Sequence, residues 1–108
     1  MSSRDENRHQ TAFRIQPNHP AIPGHFPGNP VVPGVLLLDG VIESAQQWLG
    51  GSLRVLGLRQ VKFIAPLLPD QEARIDLVLS DQSLDFSVQC GDAVLAKGSL
   101  TIELVAGP

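Results

Sequence analysis

The sequence predicts an α+β fold: an antiparallel β-sheet wrapped around one long, buried central helix. Three observations carry this expectation. From Val35 to about Leu49 there is no proline and one glycine, Gly40, while Val35, Leu36, Leu37, Leu38, Val41 and Ile42 are apolar nearly all round a helical wheel. A helix that apolar is expected to be buried. The stretches 73–80, 84–90 and 93–104 alternate with period two between short turn signals, the pattern of an antiparallel meander. No second apolar helical segment exists to cover anything else.

In chain order, residues 1–10 are polar and read as a flexible N-terminal arm, with 11–108 forming a single domain. TAFRIQ (11–16) alternates weakly and is a candidate first strand. Residues 17–34 hold six of the nine prolines, which favours extended backbone with turns over helix. Gly34 opens the helix and Gly50-Gly51 ends it. LRVLGLRQVKFI (53–64) is a long strand with Gly57 as a possible bulge. Pro66, Pro69 and Asp70 make a turn. In the meander, Ile75, Leu77 and Leu79 share one face, as do Leu84, Phe86, Val88 and Cys90. Gly91-Asp92 is a tight hairpin signal. Val94, Ala96, Leu100, Ile102 and Leu104 are expected to point inward, against Lys97, Ser99, Thr101 and Glu103 outward.

Bulk properties exclude several function classes. The 108 residues amount to one domain with one modest core, which pairing into an oligomer would help. A net charge of −3 with scattered basic residues gives no footprint for nucleic acid. One cysteine, Cys90, excludes an intrachain disulfide and a cysteine metal cluster. The polar MSSRDENRHQ start has no apolar signal core, and no apolar run reaches a membrane span. The expected setting is the cytoplasm.

The chemistry concentrates in HFPGNPVVPG (25–34) and the VLLLDGVI that follows it. Three prolines stiffen a loop around His25, and histidine titrates near neutrality, as a base must. Asp39 is the only polar side chain between Val35 and Ile42, and a buried carboxylate is costly unless paired or neutralised. Apolar surroundings favour a protonated carboxyl in general, and such an acid can assist a departing hydroxyl. Gly34 stands where unpaired amides and the positive helix end point outward, able to hold a carbonyl oxygen as charge builds on it. Base, acid and oxyanion donor suit proton abstraction next to a carbonyl with loss of a β-hydroxyl. Each residue also has an ordinary reading: His25 as a turn residue, Asp39 as a core or solvent-facing aspartate, the spaced prolines as a docking motif for aromatic grooves.

HFPGNPVVPGVLLLD closely resembles the signature of the 3-hydroxyacyl-[acyl carrier protein] dehydratases, the FabZ/FabA-like family with the hot-dog fold. The histidine stands in H-F-x-G, P-x-x-P-G opens the helix, and His25 and Asp39 are fourteen positions apart. VKFIAPLLPDQ (61–71) is similar to the family's central-strand segment, and the likeness runs from about Phe13 to Leu104. The resemblance implies a dimer whose two sheets join, each active site taking its histidine from one subunit and its carboxylate from the other. It implies that His25 removes the C2 proton, Asp39 assists departure of the C3 hydroxyl, and the Gly34 amide polarises the thioester carbonyl. It gives the Val31 carbonyl the task of orienting His25. Phe26, Pro33 and Phe63 would contact the acyl substrate, and Arg59 and Lys62 would dock the acidic carrier protein with its phosphopantetheine arm. No metal or diffusible cofactor is implied, and the pathway would be fatty-acid or polyketide- or aryl-polyene-like biosynthesis.

Four features depart from the family pattern. The acid is aspartate where much of the family has glutamate. Glu43 stands where glutamine is usual, and two carboxylates one helical turn apart repel. Ile64 and Ala65 replace basic residues, and the segment between helix and strand is short. The short segment suggests a specialised rather than a housekeeping dehydratase. Two alternatives stay open: a hot-dog thioesterase, and a non-catalytic acyl- or carrier-binding module.

Overall fold

A computed structural model describes residues 7–15 and 32–105 of the chain. The elements run β1 (Arg8–Phe13), α1 (Gly34–Leu49), β2 (Ser52–Phe63), β3 (Ala73–Ser80), β4 (Ser83–Cys90) and β5 (Ala93–Val105). The five strands form one antiparallel sheet in the order β1-β3-β4-β5-β2. β3, β4 and β5 are neighbours in sequence and in space, which is the expected meander. The first and second strands form the two edges.

The helix begins and ends where local chemistry directs. Pro33 holds φ −58° and ψ 142°, extended backbone that a proline adopts readily, and no side chain caps the first turn. At the other end Gly50 turns left-handed at φ 74°, and its amide donates to the Gln46 carbonyl at 2.9 Å. Along the helix Leu37, Gly40, Val41 and Ala45 are buried. Their spacing is one helical stripe, laid on the inner face of the sheet. Ile75, Leu77, Leu84, Val88, Leu100 and Ile102 meet it from the strands, and Leu67 closes the core from the loop after β2. A Cβ on Gly40 would come within 2.3 Å of the Phe13 ring, so the helix and β1 approach as closely as glycine permits.

Three expectations need correction. The first strand starts at Arg8, inside the stretch read as an arm, because residues 8–10 pair with β3 and the His9 ring stacks on Trp48 at 5.4 Å. The helix is not buried all round. One sheet covers one side of a cylinder, so Val35 remains 62% exposed. In the last strand Leu95 is buried, whereas Val94 and Leu104 are exposed. The ladder between β4 and β5 slips between Val88/Ala96 and Gln89/Val94, which leaves Leu95 as an extra residue. Such a bulge inverts the alternation that a regular strand would keep. The Leu95 carbonyl there accepts from the Ile64 and Ala65 amides at 2.7 and 3.1 Å.

Candidate active site

The start of α1 faces a cleft of about 530 Å³, whose walls include Val32, Gly34, Val35, Phe63, Ile64 and Leu67. Its geometry follows from three ties. The Val32 amide donates to the Leu67 carbonyl at 2.8 Å, fixing the residue that leads into Pro33. Ile64 and Ala65 are held on the Leu95 bulge. The Phe63 ring lies so near the helix start that a Cβ on Gly34 would sit 2.9 Å from its Cε1. Glycine therefore lets the Phe63 ring pack directly against the first turn, where both line the cleft. The first free amide donors of a helix and the positive end of its dipole are found in that turn. Chemically this is a place for a polarised carbonyl oxygen beside an apolar chain.

Gly34 and Phe63 are thus brought together, with Pro33 the residue that leads into the helix. Asp39 is not with them. The expected burial of this aspartate is overturned: it is exposed, on the same side of the helix as Val35, Glu43 and Gln47. It stands five positions after Gly34, which is about 140° of rotation and about 7.5 Å of rise in an α-helix. Asp39 lines a different hollow, of about 630 Å³, with Ile42, Glu43, Gln46 and Gln47. The side of the helix turned from the sheet has no cover within the described chain, which is why a carboxylate persists there without a buried partner. His25, Phe26 and Val31 lie outside the described residues.

Arg59 and Lys62 are both exposed. They share the outer face of the sheet, although three positions apart, because β2 carries an extra residue between them. Phe63, next in sequence to Lys62, pairs with buried Ala96 and points to the inner side. The cleft wall and the basic residues therefore lie on opposite faces of one strand. Among the described residues no group of His, Cys, Asp and Glu side chains could hold a metal ion. No described helix is long and apolar enough to cross a membrane. The sequence reading had missed Val32 and Leu67 as cleft walls; their apolar character signals core, and only the loop's path brings them to the helix start.

Known proteins share both sequence and fold with this chain. The family described as ApeI-like, ApeI dehydratase, matches residues 1–99. A 3-hydroxyacyl-[acyl-carrier-protein] dehydratase FabZ of Chlamydia trachomatis serovar L2 is 32% identical over 102 residues, covering 82% of this chain and 67% of that protein. Among solved structures, the dehydratase heterocomplex ApeI:P from Xenorhabdus doucetiae superposes with a TM-score of 0.81 at 24% identity, covering 90% of this chain and 88% of that one. A probable thioesterase from Bartonella henselae reaches a TM-score of 0.70 at 18% identity, covering 92% and 90%. At those identities the structures establish the hot-dog fold alone, and dehydratases and thioesterases share it.

Proposed function

Because the chain belongs to the ApeI-like dehydratase family, we propose that it removes water from a 3-hydroxyacyl thioester carried by acyl carrier protein, giving the trans-2-enoyl thioester. The observation that carries this reading is the helix start at Gly34 packed beside Phe63, on a cleft of about 530 Å³. In the reaction the C2–H bond breaks, its electron pair forms the C2=C3 double bond, and the C3–O bond breaks to release water. His25 takes the C2 proton. The Gly34 amide, at the positive helix end, steadies negative charge on the thioester oxygen. Asp39 gives a proton to the departing hydroxyl, directly or through water. Val31 orients the His25 ring through its carbonyl. Phe26, Pro33 and Phe63 contact the acyl chain, and no metal or diffusible cofactor takes part.

Asp39 lines a hollow separate from the Gly34 cleft, which supports a site completed across two subunits. The assembly is a homodimer joined along β2. That edge strand leaves Leu56, Leu58 and Phe63 exposed, with Val35 close to the same side. Pairing with a second copy extends the sheet and covers apolar area that one chain leaves wet. The Xenorhabdus relative is a heterocomplex, so the test separates a second copy from a different partner.

The test is conversion of a short 3-hydroxyacyl thioester, followed by mass spectrometry. Wild type should lose water, and His25→Ala and Asp39→Asn should each fall by about 10²–10⁴-fold while remaining folded. Mixing the two variants should restore about a quarter of wild-type activity, since a two-fold dimer of one of each rebuilds one intact site. No recovery on mixing would place both groups within one chain. Release of free thiol would indicate a thioesterase. Binding without any product would indicate a non-catalytic module. A wild-type chain that stays monomeric and inactive alone would point to a different partner subunit.

A further inference from the structure

The cleft leaves one concentration of charge unused. Along β2 the register passes from Arg59↔Ser99 to Lys62↔Lys97, three steps on β2 against two on β5. Gln60, inside that irregularity, has a left-handed φ of 56°, unusual for a residue with a side chain. Gly98 stands opposite it, where a Cβ would lie 2.8 Å from the Val61 Cα. The bulge and the glycine are one device. Without the extra residue, Arg59 and Lys62 would point to opposite faces; with it, both stand on the outer face.

Lys62 then faces Lys97 directly across the ladder. Like charges directly opposite disfavour a sheet, and the chain's net charge of −3 means carboxylates are plentiful. Elsewhere Arg14, Arg54 and Arg74 each pair with a carboxylate, and Arg8, on the other edge strand, has no such pair among the described residues. None of the ion pairs among the described residues involves Arg59, Lys62 or Lys97. Both lysines line an outer-face hollow of about 750 Å³ together with Gln60, Asp85, Ser87 and Ser99. Its carboxylate, Asp85, is engaged by hydroxyls, with Ser99 donating at 2.7 Å. A strained bulge that gathers unneutralised cations beside hydroxyl donors suits an acidic partner.

We infer that Lys97 joins Arg59 and Lys62 in a docking surface for the carboxylates of an acidic carrier protein. This rests on the dehydratase reading above and adds a residue and a structural device to it. The strand ends at Phe63, one residue beyond Lys62, so an arm from a carrier seated on the outer face passes the strand end to reach the cleft.

The experiment is binding of acyl carrier protein, unmodified and phosphopantetheinylated, to the full chain at two salt concentrations. Lys97→Glu should weaken both forms about tenfold or more and flatten the salt dependence. Its melting temperature should hold or rise, because an opposed like-charge pair has gone. Arg54→Gln, a charge change at the far end of the same strand, should bind as wild type. Equal losses in Arg54→Gln and Lys97→Glu would overturn the inference, as would unchanged binding in Lys97→Glu or a fall in its melting temperature matching the lost affinity. Binding of the phosphopantetheinylated form alone would assign the patch to the phosphate and overturn the carboxylate reading. Water loss from the free thioester by wild type is measured in parallel. It tests the dehydratase reading independently of docking.

Discussion

The two sides of the sheet differ in how complete they are. Across β3, β4 and β5 the inner side chains are sealed: Ile75, Leu84, Val88 and Leu100 have no solvent exposure. Along β2 and the first turn of α1, Leu58 is 57% and Phe63 51% exposed, though both point to the inner side. The meander is finished by its own chain. The β2 side is apolar but unfinished, and the Gly34 cleft lies there. Interiors pack to crystal-like density only where cover exists on both sides, so the contrast separates what stabilises one chain from what a second chain would complete.

The sharpest way to break the comparison is to open the sealed side. Leu77→Ala should cost about 2–5 kcal/mol, read as a lower urea midpoint, because a buried leucine leaves a cavity. Leu58→Asp should cost little in the fold of one chain but several kcal/mol in its assembly, since a dimer would bury the new charge. If the proposed pairing along β2 holds, sedimentation should show dimers for wild type and monomers for Leu58→Asp; an unchanged dimer would move the interface away from β2. Gly40→Ala tests the close approach of helix and β1. Pushing a methyl against the Phe13 ring should destabilise by about 1–3 kcal/mol in a denaturant melt. Gln60→Gly is the smallest effect. Relief of a left-handed backbone should raise stability by about 1 kcal/mol or less in thermal melts, since glycine's entropy offsets part of the gain.

Two walls of the candidate cleft were legible in the sequence. The helix start at Gly34 followed from Pro33, and Phe63 came with the strand segment that holds it. Asp39 was harder. Its apolar neighbours in sequence argued for burial, yet only Leu37, Gly40 and Val41 among them turn to the sheet, while Val35 shares the exposed side with Asp39. The first strand was missed at Arg8 because RHQ looks like solvated tail; its pairing with β3 and the His9–Trp48 stack are contacts with distant residues.

What the amino-acid order determined by itself is local: a helix bounded by proline and glycine, strands of period two, tight turns at Pro69-Asp70 and Gly91-Asp92. These follow from backbone sterics and hydrogen bonding within a few residues. What only the tertiary structure decided is which way side chains face. Leu95 replaced Val94 in the core, Arg59 and Lys62 came to one face, and Asp39 was left outward. Each outcome depends on register and on which side another element covers. A one-residue slip inverts every side chain beyond it, and the cover comes from residues far away in the chain.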